Sequence, residues 1–170
     1  YGGWMSGTLS KWDGTKTVVL NHIEGCGHNG LALTGKRTFL IACTDHGAIL
    51  ETDMTGKQLR RWDTDNKGRK FVGGINDIVA TANGGAYATV FGPYSDAPPT
   101  SVIGRILYLA AGQSQWVEVA DDLNYANGIG VSPDQKTLYV SETVGNCILK
   151  FTINSNGSLA NRSNFALLNL

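Results

Sequence analysis

Short apolar runs alternate along this chain with polar turns built from Gly, Asn, Asp, Ser and Thr; TVVLNHI, TFLIACT, AILETD, GRILYLA and CILKFTI are examples. No segment carries a sustained 3.6-residue apolar stripe, so the pattern predicts an all-β protein of many short strands. Three segments align with one another: HNGLALTGKRTFLIACTDHGAILETD from His28, INDIVATANGGAYATVFGPY from Ile75 and ANGIGVSPDQKTLYVSETVGNCILKFTI from Ala126. Each opens with an Asn followed by Gly or Asp. An apolar strand comes next, then a polar turn (Thr34–Lys36, Ala82–Gly85, Ser132–Lys136) and a second apolar strand. A third strand (AILETD, GRILYLA, CILKFTI) and a weaker fourth (QLRRWD, WVEVA, RSNFALL) complete each unit.

Four antiparallel strands repeated radially make the blades of a β-propeller. Asn29, Asn76 and Asn127 mark the repeat, at separations of 47 and 51 residues, and the longer interval contains the Pro-rich stretch FGPYSDAPPTSVIG. Such periods are blade-sized. SGTLSKWD and TVVLNHI fit the third and fourth strands of an earlier blade whose first two are missing. The expected organisation is a single partial propeller of about three and a half blades: residues 1–24 as the end of one blade, then 25–72, 73–123 and 124–170. Propellers protect their sheet edges by closing the ring, so a partial ring predicts a fragment of a longer protein or completion by another copy. Blades pack mainly on their neighbours, which lets a fragment fold.

The repeat also accounts for Gly25, Gly27 and Gly30, which have the G-x-G-x-x-G spacing of a dinucleotide-binding turn, with Glu51 about 20 residues on. That motif needs a helix after its last glycine. Here LALTGKRTFLIACT follows, with Gly35 breaking any first turn, and reads as two strands. Gly30 is instead the entrance to an inner strand.

The 170 residues are 42% hydrophobic and 16% charged, with 14 basic and 14 acidic side chains. A neutral balance with no basic cluster argues against nucleic acid or an acidic membrane surface as partner. No apolar run approaches a membrane span, and the reading is of a soluble unit of unassigned compartment, cytoplasmic or periplasmic. Cys26, Cys43 and Cys147 are far apart and odd in number; they read as buried small hydrophobes, with no disulfide expected.

In a propeller the first strand of each blade is innermost. An Asn just ahead of it in three successive units places three amides around one axis. Their carbonyl oxygens are hard ligands suited to Ca²⁺ or Mg²⁺. Asn-Gly alone also favours turns with positive φ; recurrence at one repeat position favours a site.

At these residues the sequence resembles the senescence-marker/gluconolactonase/luciferin-regenerating (regucalcin-like) family of six-bladed propellers. YANGIGVSPDQKTLYVSETVGNCILKFTINSNGSLANRSNF is similar to the family's "NG-apolar-SPDG-TLYVAD-RI" blade and following "DGTL-NR-F" run. INDIVATANGGAYAT with GPY resembles its "PNDL…DGG-Y-TD…PY" unit, and HNGLAL its "NGL" unit. Strictosidine-synthase-like propellers share the YANGIGVSPD and SET…ILKF patterns. The resemblance implies one divalent cation in the central channel, Ca²⁺ first and Mg²⁺, Mn²⁺ or Zn²⁺ as alternatives, and metal-polarised attack of water on a sugar lactone or related cyclic ester. It carries Asn76 and Asn127 over as metal ligands, with Asn29, Asn76 and Tyr94 lining the substrate pocket. It implies a bracing role for Asp77 and a local turn contact for Glu142. The family's acidic metal ligands, one near the N-terminus and one in a "PDG" unit, match no position in this chain, so no catalytic residue is assigned. Two other functions stay open: a non-catalytic propeller used as a binding or scaffold surface, and a strictosidine-synthase-like propeller.

Overall fold

The computed structural model describes residues 1–3, 5–71, 74–92 and 104–168. They form β-strands joined by turns, with no helix among the described residues. The first sheet comprises β1 (Gly2–Gly3), β2 (Thr8–Trp12) and β3 (Thr17–His22). The second is β4 (His28–Leu33), β5 (Phe39–Cys43), β6 (Ala48–Thr52) and β7 (Gln58–Trp62). The third is β8 (Ile75–Ala80), β9 (Ala86–Val90), β10 (Gly104–Leu109) and β11 (Val117–Leu123). The fourth is β12 (Ala126–Val131), β13 (Thr137–Glu142), β14 (Cys147–Ile153) and β15 (Leu159–Leu167). In every sheet the strands lie in chain order and pair antiparallel. β4, β8 and β12, the first strands of successive sheets, lie side by side, as the innermost strands of consecutive propeller blades do.

One difference from the sequence reading lies at the start of the chain. The first sheet has a third strand, Gly2–Gly3, paired to Leu9 and Thr8 of β2. Two glycines carry no apolar pattern, so hydropathy could not reveal it.

The cores lie between sheets, and the period of two along each strand decides which core a residue joins. Leu40, Ala42 and Ile49 of the second sheet meet Ile78, Ala88, Val90 and Leu107 of the third. The alternate residues Ile41, Cys43, Ala48 and Leu50 turn the other way, toward Leu9 of the first sheet. The third sheet repeats the division, sending Tyr87, Ile106 and Tyr108 to meet Leu138, Val140, Leu149 and Phe151 of the fourth. Strands covered on both faces are largely apolar: β5 is so throughout, while β6 and β9 are broken only by Glu51, Thr52 and Thr89. β13, with one face covered, alternates between buried and half-buried positions.

The cysteine expectation is corrected here. Cys26 and Cys43 form a disulfide with their Cα atoms 4.6 Å apart, while Cys147 is free and buried. The sequence showed two cysteines 17 residues apart. It could not show that the β4–β5 hairpin folds back to place His28 opposite Cys43, which brings Cys26 alongside. Cys147 behaves as expected; burial first, and then the neighbouring Glu142, push its thiol pKa up.

Candidate functional site

All three inner strands share one irregularity. Between His28↔Cys43 and Leu31↔Ile41, the β4–β5 ladder has two residues, Asn29 and Gly30, facing Ala42 alone. Asn76 and Asp77 likewise face Thr89 between Ile75↔Val90 and Ile78↔Ala88, and Asn127 and Gly128 face Ser141 between Ala126↔Glu142 and Ile129↔Val140. Each repeated Asn is therefore the first residue of a β-bulge. Bulges re-aim a side chain and are enriched beside functional sites.

Contacts between the bulges place them next to one another. A Cβ added at Gly30 would lie 2.6 Å from both the Cα and the Oδ1 of Asp77, so only glycine fits there. Asp77 also reaches the third bulge, accepting the Ile129 N–H at 3.1 Å through Oδ2, while its Oδ1 accepts the Ile78 N–H at 2.8 Å. Thr89, opposite the second bulge, accepts the Asp77 N–H at 3.1 Å and donates to the Asn127 carbonyl at 2.6 Å. Thr44, one residue past β5, donates to the Ile75 carbonyl at 2.7 Å. Asp77 and these threonines tie the starts of successive inner strands into a fixed row. A Gly30→Ala substitution is expected to destabilise the chain by about 1–3 kcal/mol through overpacking against Asp77. Chemical denaturation measures it, and an unchanged midpoint would contradict this packing.

The amide side chains remain available. Asn127 donates through Nδ2 to Thr143 Oγ1 at 3.0 Å, an interaction that leaves its carbonyl oxygen to accept. Asn29 is exposed and Asn76 half-buried, and neither amide makes a hydrogen bond with another described residue. The two carboxylates nearby are committed. Asp77 serves backbone N–H groups. Glu142 accepts from Asn124 N at 2.7 Å, from Arg162 Nη2 at 3.1 Å and from Cys147 Sγ at 3.3 Å. The donor set is thus neutral oxygen, of a chemistry that fits a hard divalent cation; no charged ligand is offered by Asp77 or Glu142. Tyr94 lies outside the described residues.

Sequence reasoning missed several neighbours of the row. Phe91, just past β9, stacks on Tyr125, just ahead of β12, with ring centroids 4.9 Å apart. Tyr125 adopts φ 63°, a left-handed conformation that is unfavourable for an aromatic residue and is concentrated at functional sites. Nothing in the sequence signals that angle. The threonines left a trace: Thr44 and Thr143 each stand one residue past the second strand of their sheet.

His28 opens β4 but faces away from the amides, into the core beside Cys26 and Cys43. Burial lowers its pKa; the Thr8 backbone, near the ring without a well-formed hydrogen bond to it, opposes that shift and His22 adds to it.

Successive antiparallel blades with their inner strands abutting define a β-propeller. The chain belongs to the SMP-30/gluconolactonase/LRE-like family, whose family model matches residues 6–169. Over 83 residues it is 32% identical to lactonase drp35 of Staphylococcus aureus, an alignment spanning 49% of this chain and 24% of that protein. A gluconolactonase from Xanthomonas campestris superposes with a TM-score of 0.80 at 25% identity, covering 97% of this chain and 57% of that one. Regucalcin from Agrobacterium tumefaciens, a calcium-binding protein, superposes with a TM-score of 0.68 at 18% identity, over 95% of this chain and 52% of its own. The chain therefore corresponds to little more than half of these folds. No helix among the described residues is long and apolar enough to cross a membrane.

Proposed function

We propose that this chain supplies part of the catalytic channel of a lactone hydrolase, opening a sugar lactone or related cyclic ester. The observation that carries the reading is the row of three bulges presenting Asn29, Asn76 and Asn127 from adjacent inner strands. The family, and the lactonases within it, supply the reaction class. Asn76 and Asn127 would hold a divalent cation, Ca²⁺ before Mg²⁺, Mn²⁺ or Zn²⁺, through their side-chain oxygens. Such an ion, when bound, supplies Lewis-acid polarisation of an ester carbonyl and a lowered pKa for water. Asn29, the most exposed of the three, would orient a lactone by hydrogen bonds to its ring substituents. Asp77 acts as a positioning residue: with both oxygens on backbone N–H groups, it fixes the second bulge against the third. The blade boundaries 1–24, 25–72, 73–123 and 124–170 go with this reading, as does closure of the ring by further blades or a second copy.

Calcium titration by calorimetry on this chain and on its Asn76→Ala and Asn127→Ala variants, with aldonolactone hydrolysis assayed alongside, tests the proposal. One saturable site is expected, weakened at least about tenfold in each variant, a loss already typical of residues that merely support a metal ligand. Calcium binding that is indifferent to both substitutions would remove the amides from the site. No binding and no hydrolysis would favour a propeller that serves as a binding or scaffold surface.

A further inference from the structure

A second cluster lies on the other side of β4, away from the amides. Sγ of Cys26, Sγ of Cys43 and a ring nitrogen of His28 are all within 4.8 Å of one another, and all three residues are buried. His28 is 2% exposed, and among the described residues neither of its ring nitrogens makes a well-formed hydrogen bond, the Thr8 backbone lying near the ring without one. A buried polar group in that state costs about 1–3 kcal/mol. Nothing in the amide site accounts for it, because consecutive strand residues point to opposite faces and Asn29 faces the other way.

We propose that the Cys26–Cys43 disulfide is the oxidised form of a buried metal site, and that reduction by a dithiol exposes a Cys₂His donor set for Zn²⁺ or a similar thiophilic ion. The exchange balances: the dithiol gives two electrons and two protons, its own sulfurs join, and the Cys26–Cys43 bond is replaced by two thiols. Metal uptake then releases both thiol protons and leaves two thiolates with a neutral imidazole, a soft set of the composition tetrahedral zinc favours. Donors around such an ion stand roughly 3.5–3.8 Å apart, as bonds of 2.0–2.3 Å at tetrahedral angles require. Once the disulfide opens, the two sulfurs must move apart by roughly 1.7 Å to reach that spacing, a change that rotation of the cysteine side chains on Cα atoms 4.6 Å apart can supply.

The frame is fixed by neighbouring backbone. His28 pairs directly with Cys43 across the β4–β5 ladder, and Cys26 is anchored by its N–H to the Ile23 carbonyl at 3.1 Å. The two-residue strand β1 packs against His28 from outside: a Cβ added at Gly2 would sit 3.1 Å from the His28 Cβ. The site and its test are independent of lactone hydrolysis.

Cobalt titration reads the site without an activity assay. The Cys147→Ala form, which lacks the third sulfur, is reduced with dithiothreitol, desalted under nitrogen and titrated with Co²⁺. One equivalent is expected to give a thiolate-to-cobalt charge-transfer band and intense tetrahedral d–d bands, both abolished by Zn²⁺. The oxidised protein should give neither, which separates this site from any oxygen-ligand site. His28→Ala should weaken binding at least about tenfold, since a direct ligand matters no less than its supporting residues. Absence of the thiolate band in the reduced protein, or equal affinity in His28→Ala, overturns the proposal. Should reduction unfold the chain, recovery of the β-sheet circular dichroism on adding Zn²⁺ supports it, and failure to recover counts against it.

Discussion

Trp116→Ala is expected to cost the fold about 3–5 kcal/mol, the range for truncating a buried indole. Trp116 is 0% exposed, packs edge-on against Trp62 with ring centroids 6.1 Å apart, and belongs to the core between the second and third sheets. The surrounding backbone prevents collapse into the cavity. The Trp116 carbonyl accepts the Asn66 N–H at 2.8 Å, and Trp62 Nε1 donates to the Ser114 carbonyl at 2.7 Å. These bonds hold the two sheets at a fixed spacing, so the void persists. In a domain of this size the thermal midpoint should fall by on the order of 10 °C. Thermal melts followed by circular dichroism measure it, with Trp116→Phe expected to recover most of the loss. A cost below about 1 kcal/mol would mean that the sheets close over the gap.

Asp65→Ala is expected to cost about 1–3 kcal/mol at neutral pH, because it leaves backbone N–H groups of the turn without their acceptor, while Arg69 and Arg105 keep, among the described residues, only the Glu118 carboxylate, at 2.9 and 3.5 Å. Asp65 is 3% exposed. Its carboxylate accepts from the N–H groups of Lys67 and Arg69 at 2.9 and 3.0 Å, and from Arg69 Nε and Arg105 Nη1 at 2.8 and 3.0 Å. Burial alone would raise its pKa, but the backbone N–H groups and the Arg69 guanidinium outweigh burial and hold it below the usual carboxylate value. A depressed folded-state pKa gives stability that is present above the unfolded value, about 3.9, and lost as pH falls through the folded one. The gap between the native protein and Asp65→Asn should therefore be widest near pH 7 and shrink below about pH 4. Urea midpoints at pH 7 and pH 3 check this; a gap of equal size at both would show that the carboxylate's charge is not what stabilises the turn.

The all-β fold was legible because strands buried on two faces are long apolar runs and because Asn29, Asn76 and Asn127 recur at blade-sized spacing. The polar turns were equally plain, since Gly, Asn, Asp and Ser gather wherever the chain reverses. Two features were not. The bulges are properties of pairing between strands, visible only when Asn29–Gly30 is set against Ala42 and its counterparts against Thr89 and Ser141. The Cys26–Cys43 disulfide depends on the same pairing, and composition alone pointed the other way. Asp77 shows the remaining limit: its neighbour Asn76 marks the repeat, but only the approach of β12 reveals that its carboxylate spans two strands.

The bulges also bear on how this scaffold can change. A residue inside the ladder is constrained by its cross-strand partner and by the core its side chain enters. The first residue of each bulge has no ladder partner of its own and its side chain joins none of the cores between sheets, although Asn127 still donates to Thr143. Replacing Asn29 or Asn76 should thus change the polar groups at the starts of the inner strands while leaving the ladders on either side in register. Under the proposed reading, inherited variation can change what the channel binds at these positions without first having to re-solve folding.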